Sequence, residues 1–435
     1  MARGPRNLRV AFDGVGLTQF GGVALIEQFF QRIGLQGAIS QHIRFAQRNN
    51  RYGISESLEA FLYPLILGLG RIETTEPLRY NGVFHYLAGL PGYPAATSLR
   101  RFLERFARAG RQAFLKLHDR WRREMIGQPA QVIFDLDSTV LTVYGRQQRA
   151  AVGYNPKKRG RPSYLPLLCF EGRTQDCWEG SYHAGNVGVT TVTVPLLQRA
   201  FAKLPQPPPA VRVRADGAFY DHKIIEFIEE KHACYTIVAQ LTPRLKNRLS
   251  GLRYRRISPG VWGGEFRYAP QGWPGPRGFV VIRRPVPEEP SAQLHLFQMG
   301  GYSYQVFVTN LALTPLHLWR FYNQRARAEL IIRELKDAYA LGKIPTKDFP
   351  ANEAFFQIVL LAYDLLNWFK RLCAPAHLQR ATLPRLRQRL FVVPSQLVRP
   401  GGVPTLRIAP SYAYERDFQE TRRRIGNLKS RFRTP

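Results

Sequence analysis

The sequence predicts an α/β protein preceded by a helical N-terminal region. Three observations carry that expectation. Residues from about 20 to 126 show apolar spacing of helical period. From Gln131 onward, short β-type runs alternate with amphipathic segments, as in VIFDLD, DHKIIEFIEEKH and CYTIVAQL. Between about 242 and 312, β runs are separated by Gly/Pro turns, which predicts a β-rich insertion. Mixed strands and helices of this kind build an α/β core. With 435 residues, 45% hydrophobic and 12% aromatic, the chain is long enough for two or three domains.

Charge narrows the partners. Lys and Arg number 63 against 31 acids, a formal net of +32. A chain that basic repels itself unless a polyanion binds it. Basic residues spread over the whole length favour nucleic acid. A membrane surface is the rival. No run approaches about 18 consecutive apolar residues, and the N-terminal MARGPRNLRVAFDG has no apolar leader core. No membrane partner is therefore expected. Cys169, Cys177, Cys234 and Cys373 stand far apart, with no zinc-type spacing. A reduced, cytoplasmic setting is the simple reading.

In order, VALIEQFFQRIGL reads as a helix ending at a glycine, and SLEAFLYPLILGLGRI as a buried one. PGYPAATSLRRFLERFARAGRQAFLKLHDRW opens with Pro94 and a Thr97/Ser98 cap. Its polar face carries Arg100, Arg101, Arg105, Arg108 and Arg111, which suits either a helix-turn-helix reader or a merely solvated face. QVIFDLDSTVLTVYG, YLPLLCFEG and RTQDCWEGSYHAG are the first strands of the core. TVTVPLLQRAFAKL is a helix, or a strand running into a helix, and AVRVRADGAFY a strand with an abrupt end. After the β-rich segment come two helices, about Pro315–Ala340 and Asn352–Leu372. The expected divisions are 1–127 helical and DNA-binding, 128–241 core, 242–312 insertion, 313–375 second part of the core, and 376–435 a basic C-terminal region.

Side chains alternate along a strand. Val132, Phe134 and Leu136 therefore share one face, and Ile133, Asp135 and Asp137 the other. Two aspartates on an apolar strand are costly to bury without a cation or donors. Asp137 could instead cap a turn, and Asp216, followed by Gly217, could simply form one. Acids that bind ligands in open sheets tend to lie at carboxyl ends of strands.

A third acid lies in YNQRARAELIIRELK. Thr314 and Pro315 start this helix well. At about 100° per residue, Tyr322, Arg325, Glu329 and Lys336 fall within an arc of roughly 60°. They border an apolar stripe of Phe321, Ala328, Ile332, Leu335 and Tyr339, while Glu334 points to solvent. Taken alone, Arg325–Glu329 and Glu329–Arg333 are ordinary i,i+4 ion pairs.

Together these residues resemble the DDE insertion-sequence transposases. Tyr322, Arg325, Glu329 and Lys336 match the Y-(2)-R-(3)-E-(6)-K signature of the insertion-sequence-four superfamily. DLDST, GYNPKKRGRPSYLPLLCF, HAGN and VRADGAFY are similar to the thirteen-eighty insertion-sequence family. His183 stands where such transposases often carry arginine, so that arginine's phosphate role does not transfer. The resemblance implies a ribonuclease-H-like catalytic core with a β-rich insertion, and Asp137, Asp216 and Glu329 as catalytic metal ligands. It implies two Mg²⁺ ions, with Mn²⁺ a possible substitute, and Tyr322, Arg325 and Lys336 as contacts to DNA. It further implies a transposase that binds terminal inverted repeats, cleaves the ends and joins 3′-OH groups to target DNA. Double-stranded DNA is the partner, a homodimer on paired ends the assembly, and a cytoplasmic, nucleoid-associated protein the setting. A nuclease or repair enzyme on the same core, or a non-catalytic DNA-binding derivative, are the alternatives. Lys157, Lys158, Arg159 and Arg161 sit in NPKKRGRP, whose Arg-Gly-Arg-Pro resembles an AT-hook core. That loop is expected to touch the DNA backbone or minor groove, or else to be a solvated hairpin loop.

Overall fold

The change of texture at Gln131 is a change from helix to strand. The computed structural model describes residues 8–47, 51–286 and 297–428. Helices α1 (Val23–Arg32), α2 (Ile54–Leu67), α3 (Ala96–Ala109) and α4 (Arg111–Ile126) precede strands β1 (Gln131–Ser138), β2 (Pro162–Glu171) and β3 (Cys177–Ala184). Helix α5 (Val189–Ala202), strand β4 (Ala210–Ala215), helix α6 (His222–Glu230) and strand β5 (Cys234–Val238) follow. Then come strands β6 (Val261–Tyr268), β7 (Arg277–Pro285) and β8 (Tyr302–Thr309), and helices α7 (Pro315–Asn323), α8 (Ala326–Asp337), α9 (Phe349–Cys373) and α10 (Glu415–Gly426). The chain divides into one compact unit of 118–336 and another of 1–117 with 337–435. The segment 313–375, expected as one piece of the core, is thus split after Lys336.

In unit 118–336 a large mixed sheet runs β3-β2-β1-β4-β5-β8-β7-β6. Strands β3, β2 and β1 pair antiparallel with one another; β1, β4 and β5 run parallel. The alternation expected in β1 is present. Val132, Phe134 and Leu136 are buried in the cluster that also holds Leu196, Leu197 and Ala200 of α5 and Ile224, Ile225 and Ile228 of α6. Phe134 packs on Trp178 and Phe201, with ring centroids 5.5 Å away in each case. That burial frees the opposite face of β1 for the aspartates.

The segment expected as a separate β-rich insertion continues the same sheet. Strand β8 pairs antiparallel with β5, Phe307 opposite Val238 and Thr309 opposite Thr236. Residues 287–296 of that segment lie outside the described residues. On one face of these added strands, Val261, Val280, Ile282 and Phe307 form a cluster with Leu318 and Tyr322 of α7. The added strands therefore seat the helix that leads to Glu329.

In the other unit, α9 is apolar nearly all round and buried along most of its length. Such a helix can only be a core element. Phe369 meets Phe29 of α1 with centroids 5.5 Å apart, and Phe355 meets Phe61 of α2 at 6.2 Å. Among the described residues no helix is long and apolar enough to cross a membrane. The C-terminal residues, expected as a region of their own, are built into this unit. Ser395–Val398 pairs with Leu17–Thr18 on one side and with Thr405–Ile408 on the other. Residues 429–435 of the expected basic C-terminal region lie outside the described residues.

Helix α3 begins at Ala96 with Ala95 as its N-cap, so Thr97 and Ser98 do not cap it. Only Gly110 separates α3 from α4, which is shorter than the three or four residues of a helix-turn-helix turn. The arginines of this region divide in two. Arg100 pairs with Glu73, Arg111 with Glu353, and Arg108 with Asp348 at 3.5 Å. Arg101 and Arg105 have no acidic partner among the described residues.

Candidate active site

Strands β1 and β4 run parallel, with Asp135 opposite Arg214. Two residues further on stand Asp137, in β1, and Asp216, just past the end of β4, so both acids lie at the carboxyl end of the sheet. Asp137 Oδ1 accepts from the Ser138 amide at 2.8 Å. Asp216 Oδ1 accepts from the Ala218 amide at 3.0 Å and caps the short turn Gly217–Phe219. The turn-forming reading of Asp216 is thus correct as far as one oxygen goes, and the other oxygen remains for the site.

The helix expected over 315–340 is broken at Gln324–Arg325, between α7 and α8. There the chain tightens: the Arg325 amide donates to the Tyr322 carbonyl at 2.8 Å, and the Ala328 amide to the Arg325 carbonyl at 2.8 Å. Arg325 turns inward and is only 3% exposed. Its Nε and Nη2 donate to the Leu136 carbonyl at 3.2 and 3.1 Å. The same guanidinium lies 3.3 Å from Asp137 Oδ1, 3.5 Å from Asp216 Oδ2 and 3.1 Å from Glu329 Oε1. One buried cation therefore gathers all three sequence-predicted acids from three distant parts of the chain.

Arg325, expected as a grip on DNA, is turned in this structure toward the acids. Its partners are the Leu136 carbonyl and the three carboxylates, and it is almost fully buried. Tyr322 is likewise in the core, its ring 4.7 Å from that of Phe307, and burial pushes its hydroxyl up to about 12. Lys336 Nζ donates to the Val140 carbonyl at 3.1 Å. Glu334, expected in solvent, is half-buried. The arc of the helical wheel identified neighbours of the site, and the fold directs them inward.

Electrostatics follow the same geometry. Burial pushes the Asp137 carboxyl up to about 6; Arg325 opposes that rise, and Asp216 and Glu329 add to it. At neutral pH Asp137 is still charged. Burial works against the Arg325 charge, but Asp137 and the other acids outweigh it and hold the guanidinium above its ordinary range. Exposure rises across the cluster, from 10% for the Asp137 side chain to 40% for Asp216 and 64% for Glu329. Among the described residues no three His, Cys, Asp or Glu side chains form a ready cage for a metal. The donor chemistry nevertheless suits Mg²⁺, which takes few hard oxygens and keeps waters. A cationic group already occupies the acids' common focus.

Asp135, the second acid of VIFDLD, is spent elsewhere. Arg214 is fully buried and holds it by two bonds, at 2.6 and 2.7 Å, and donates to the Phe321 carbonyl at 2.6 Å. The clamp ties β1 and β4 to the end of α7. A Cβ on Gly172 would fall 2.6 Å from Arg214 Nη2, so the clamp requires glycine there. Sequence reasoning missed Arg214, though its place two residues before Asp216, like that of Asp135 before Asp137, was a usable signal.

The basic loop emerges before β2, at the sheet end that carries Asp137: β2 is antiparallel to β1, with Asp137 opposite Leu168. Lys157, Lys158, Arg159 and Arg161 are all exposed. Asn155 braces the loop, accepting from the Lys158 amide at 3.1 Å and donating to Thr142 Oγ1 at 3.0 Å. His183 Nε2 lies 2.8 Å from Ser181 Oγ, within its own strand.

No curated protein matches the chain. Among solved structures, the chain is similar to piggyBac transposase in a synaptic complex with hairpin DNA, at 10% identity and a TM-score of 0.45, over 96% of this chain and 83% of that one. The model of the family described as transposase DDE domain, group 1, matches residues 2–430. Nearly the whole chain is thereby accounted for, and it belongs to the DDE transposase family.

Proposed function

We propose that this transposase binds the terminal inverted repeats of its element, cuts each end to free a 3′-OH, and joins that 3′-OH to target DNA. The observation that carries the reading is the convergence of Asp137, Asp216 and Glu329 on one guanidinium. The strand order β3-β2-β1-β4-β5, with the last three parallel, supports a ribonuclease-H-like reading of 128–241. The likeness to the insertion-sequence-four signature and to the thirteen-eighty family supports the finer assignment.

In this reading Asp137, Asp216 and Glu329 hold Mg²⁺, with Mn²⁺ as substitute. Two such ions, when bound, would stabilise the attacking and leaving oxygens of phosphodiester cleavage. Arg325 keeps the three carboxylates together against their mutual repulsion. The Asp135–Arg214 clamp holds β1, β4 and the end of α7 in place, which fixes where Asp137, Asp216 and Arg325 stand. The exposed Lys157, Lys158, Arg159 and Arg161 neutralise duplex phosphates near the same sheet end. A homodimer on paired ends places one such site at each end.

The test uses the full chain, Mg²⁺, a labelled end from the element's own repeat and a target plasmid. Asp137→Asn, Asp216→Asn and Glu329→Gln should each lower cleavage by about 10³-fold or more while end binding persists. Cleavage near the wild-type rate by any of the three removes that residue from the site. Cleavage without joining by the wild type would make the protein a nuclease.

A further inference from the structure

A second charged feature lies wholly within residues 1–117. A concave cavity of about 1090 Å³ opens between α3, the start of α2 and the turn Glu73–Tyr80. Its floor is aromatic: Phe45, Tyr93 and Phe102 line it. Its walls carry Arg101 and Arg105, and no Asp or Glu is among the described residues that line it. Tyr80 stands at its edge, 78% exposed, with the Arg79 guanidinium 5.7 Å from the ring centre.

The arginines of one short region make the contrast. Arg100, Arg108 and Arg111 are matched by Glu73, Asp348 and Glu353. Arg101 and Arg105, which face the cavity, are not matched by any acid among the described residues. Two like charges one helical turn apart repel. Three neighbours are neutralised while these two are left bare over an aromatic floor, and that arrangement suits an anionic ligand with flat rings. The volume exceeds what small-molecule pockets usually need. A duplex presents a convex row of phosphates, whereas a cavity can admit unpaired nucleotides.

We propose that this cavity binds a single DNA strand, with phosphates on Arg101 and Arg105 and a base stacked on Tyr80. The proposal rests on the reading that the chain acts on DNA, and adds a strand-binding site apart from the carboxylates. Positive grooves with aromatic platforms are the common solution for unpaired strands.

The experiment measures anisotropy of a fluorescein-labelled 20-thymidine strand and of a duplex of equal length, with the full chain in EDTA over a range of salt. Arg101→Gln with Arg105→Gln should weaken strand binding about tenfold or more. It should lower the salt slope by about 1.4, at about 0.7 per phosphate contact. Arg108→Gln, on the same helix but paired, should change affinity less than twofold. Tyr80→Ala should weaken strand binding about tenfold, and Tyr80→Phe should not. A bromouracil strand irradiated on the wild type should label the peptide containing Tyr80, a readout that needs no variant to fold. Unchanged affinity and slope in a double variant that melts like the wild type would overturn the proposal, as would equal loss in Arg108→Gln or labelling only elsewhere. Wild type that binds neither strand nor duplex would strike at the DNA reading itself. Wild type that cleaves DNA normally while both variants bind normally would strike at the cavity alone.

Discussion

Arg325, at the break between two helices, and Arg101, within one, are both arginines of a strongly basic chain, and they do opposite things. Arg325 is buried, and its guanidinium faces three carboxylates and a carbonyl. Arg101 lines an open cavity with no acid among its described lining residues. The first charge is consumed within the protein, and the second is left for a partner. A net charge of +32 therefore overstates neither role alone: part of it holds the site together, and part is free to bind.

The largest expected effect comes from breaking the consumed charge. Arg325→Ala would leave Asp137 buried beside two other acids. Losing one partner of a buried pair costs about 3–5 kcal/mol, and protonation of Asp137 would relieve some of that. We expect a loss of roughly 2–3 kcal/mol near pH 8 in urea melts. The pH dependence has a definite sign. Asp137 titrates near 6 in the fold against an ordinary 3.8, so the neutral form is favoured and its ionisation costs stability as pH rises from about 4 to 6. Without Arg325 that cost extends above 6. The deficit of the variant should therefore be small at pH 5 and grow toward pH 8. A deficit independent of pH would mean that Arg325 acts through packing, not charge.

An acid without an arginine sharpens the same comparison. Glu59 of α2 is only 2% exposed, and burial, with Glu27 and Glu56 nearby, pushes its carboxyl up to about 8. Its folded value is raised, so the cost of ionising it begins above the ordinary 4.5 and is complete only above 8. Glu59→Gln removes that cost. The variant should match wild type near pH 4.5 and exceed it by on the order of 2 kcal/mol at pH 9. Equal stability at both pH values would show that Glu59 is better solvated than its burial implies.

How much of this was legible in the sequence depends on the range of the interaction. The two faces of β1 were legible, because alternation is a local property of a strand. The three acids could be picked out as candidates, but not that one guanidinium brings them together. The break at Gln324–Arg325 was not legible, since a helical wheel assumes a continuous axis and says nothing of where a long side chain turns. The pairing of β8 with β5 joins residues some seventy positions apart, and no local pattern reports such a register. The same holds for Ser395–Val398 beside Leu17–Thr18. The arginines of α3 show the limit most plainly: one polar face was visible, while the acids that divide it are Glu73, Asp348 and Glu353, two of them hundreds of residues away.

The smallest effects should come from the free charges of the basic loop, taken singly. Lys157, Lys158, Arg159 and Arg161 are exposed and have no acidic partner among the described residues. Alanine at any of them should leave the melting temperature within about a degree, since surface substitutions of this kind are nearly neutral. Each should reduce the salt slope for duplex binding by about 0.9 and the affinity a few-fold. The sequence Arg159-Gly160-Arg161 allows a finer distinction. Gly160 has φ +74°, a conformation that holds the two arginines in a tight turn. If they enter the minor groove, Arg159→Ala and Arg161→Ala should abolish a preference for A·T over G·C duplex, while Lys157→Ala and Lys158→Ala should not. Equal losses on both duplexes from all four would mean contacts to the backbone only, and an unchanged salt slope in all four would return the loop to solvent.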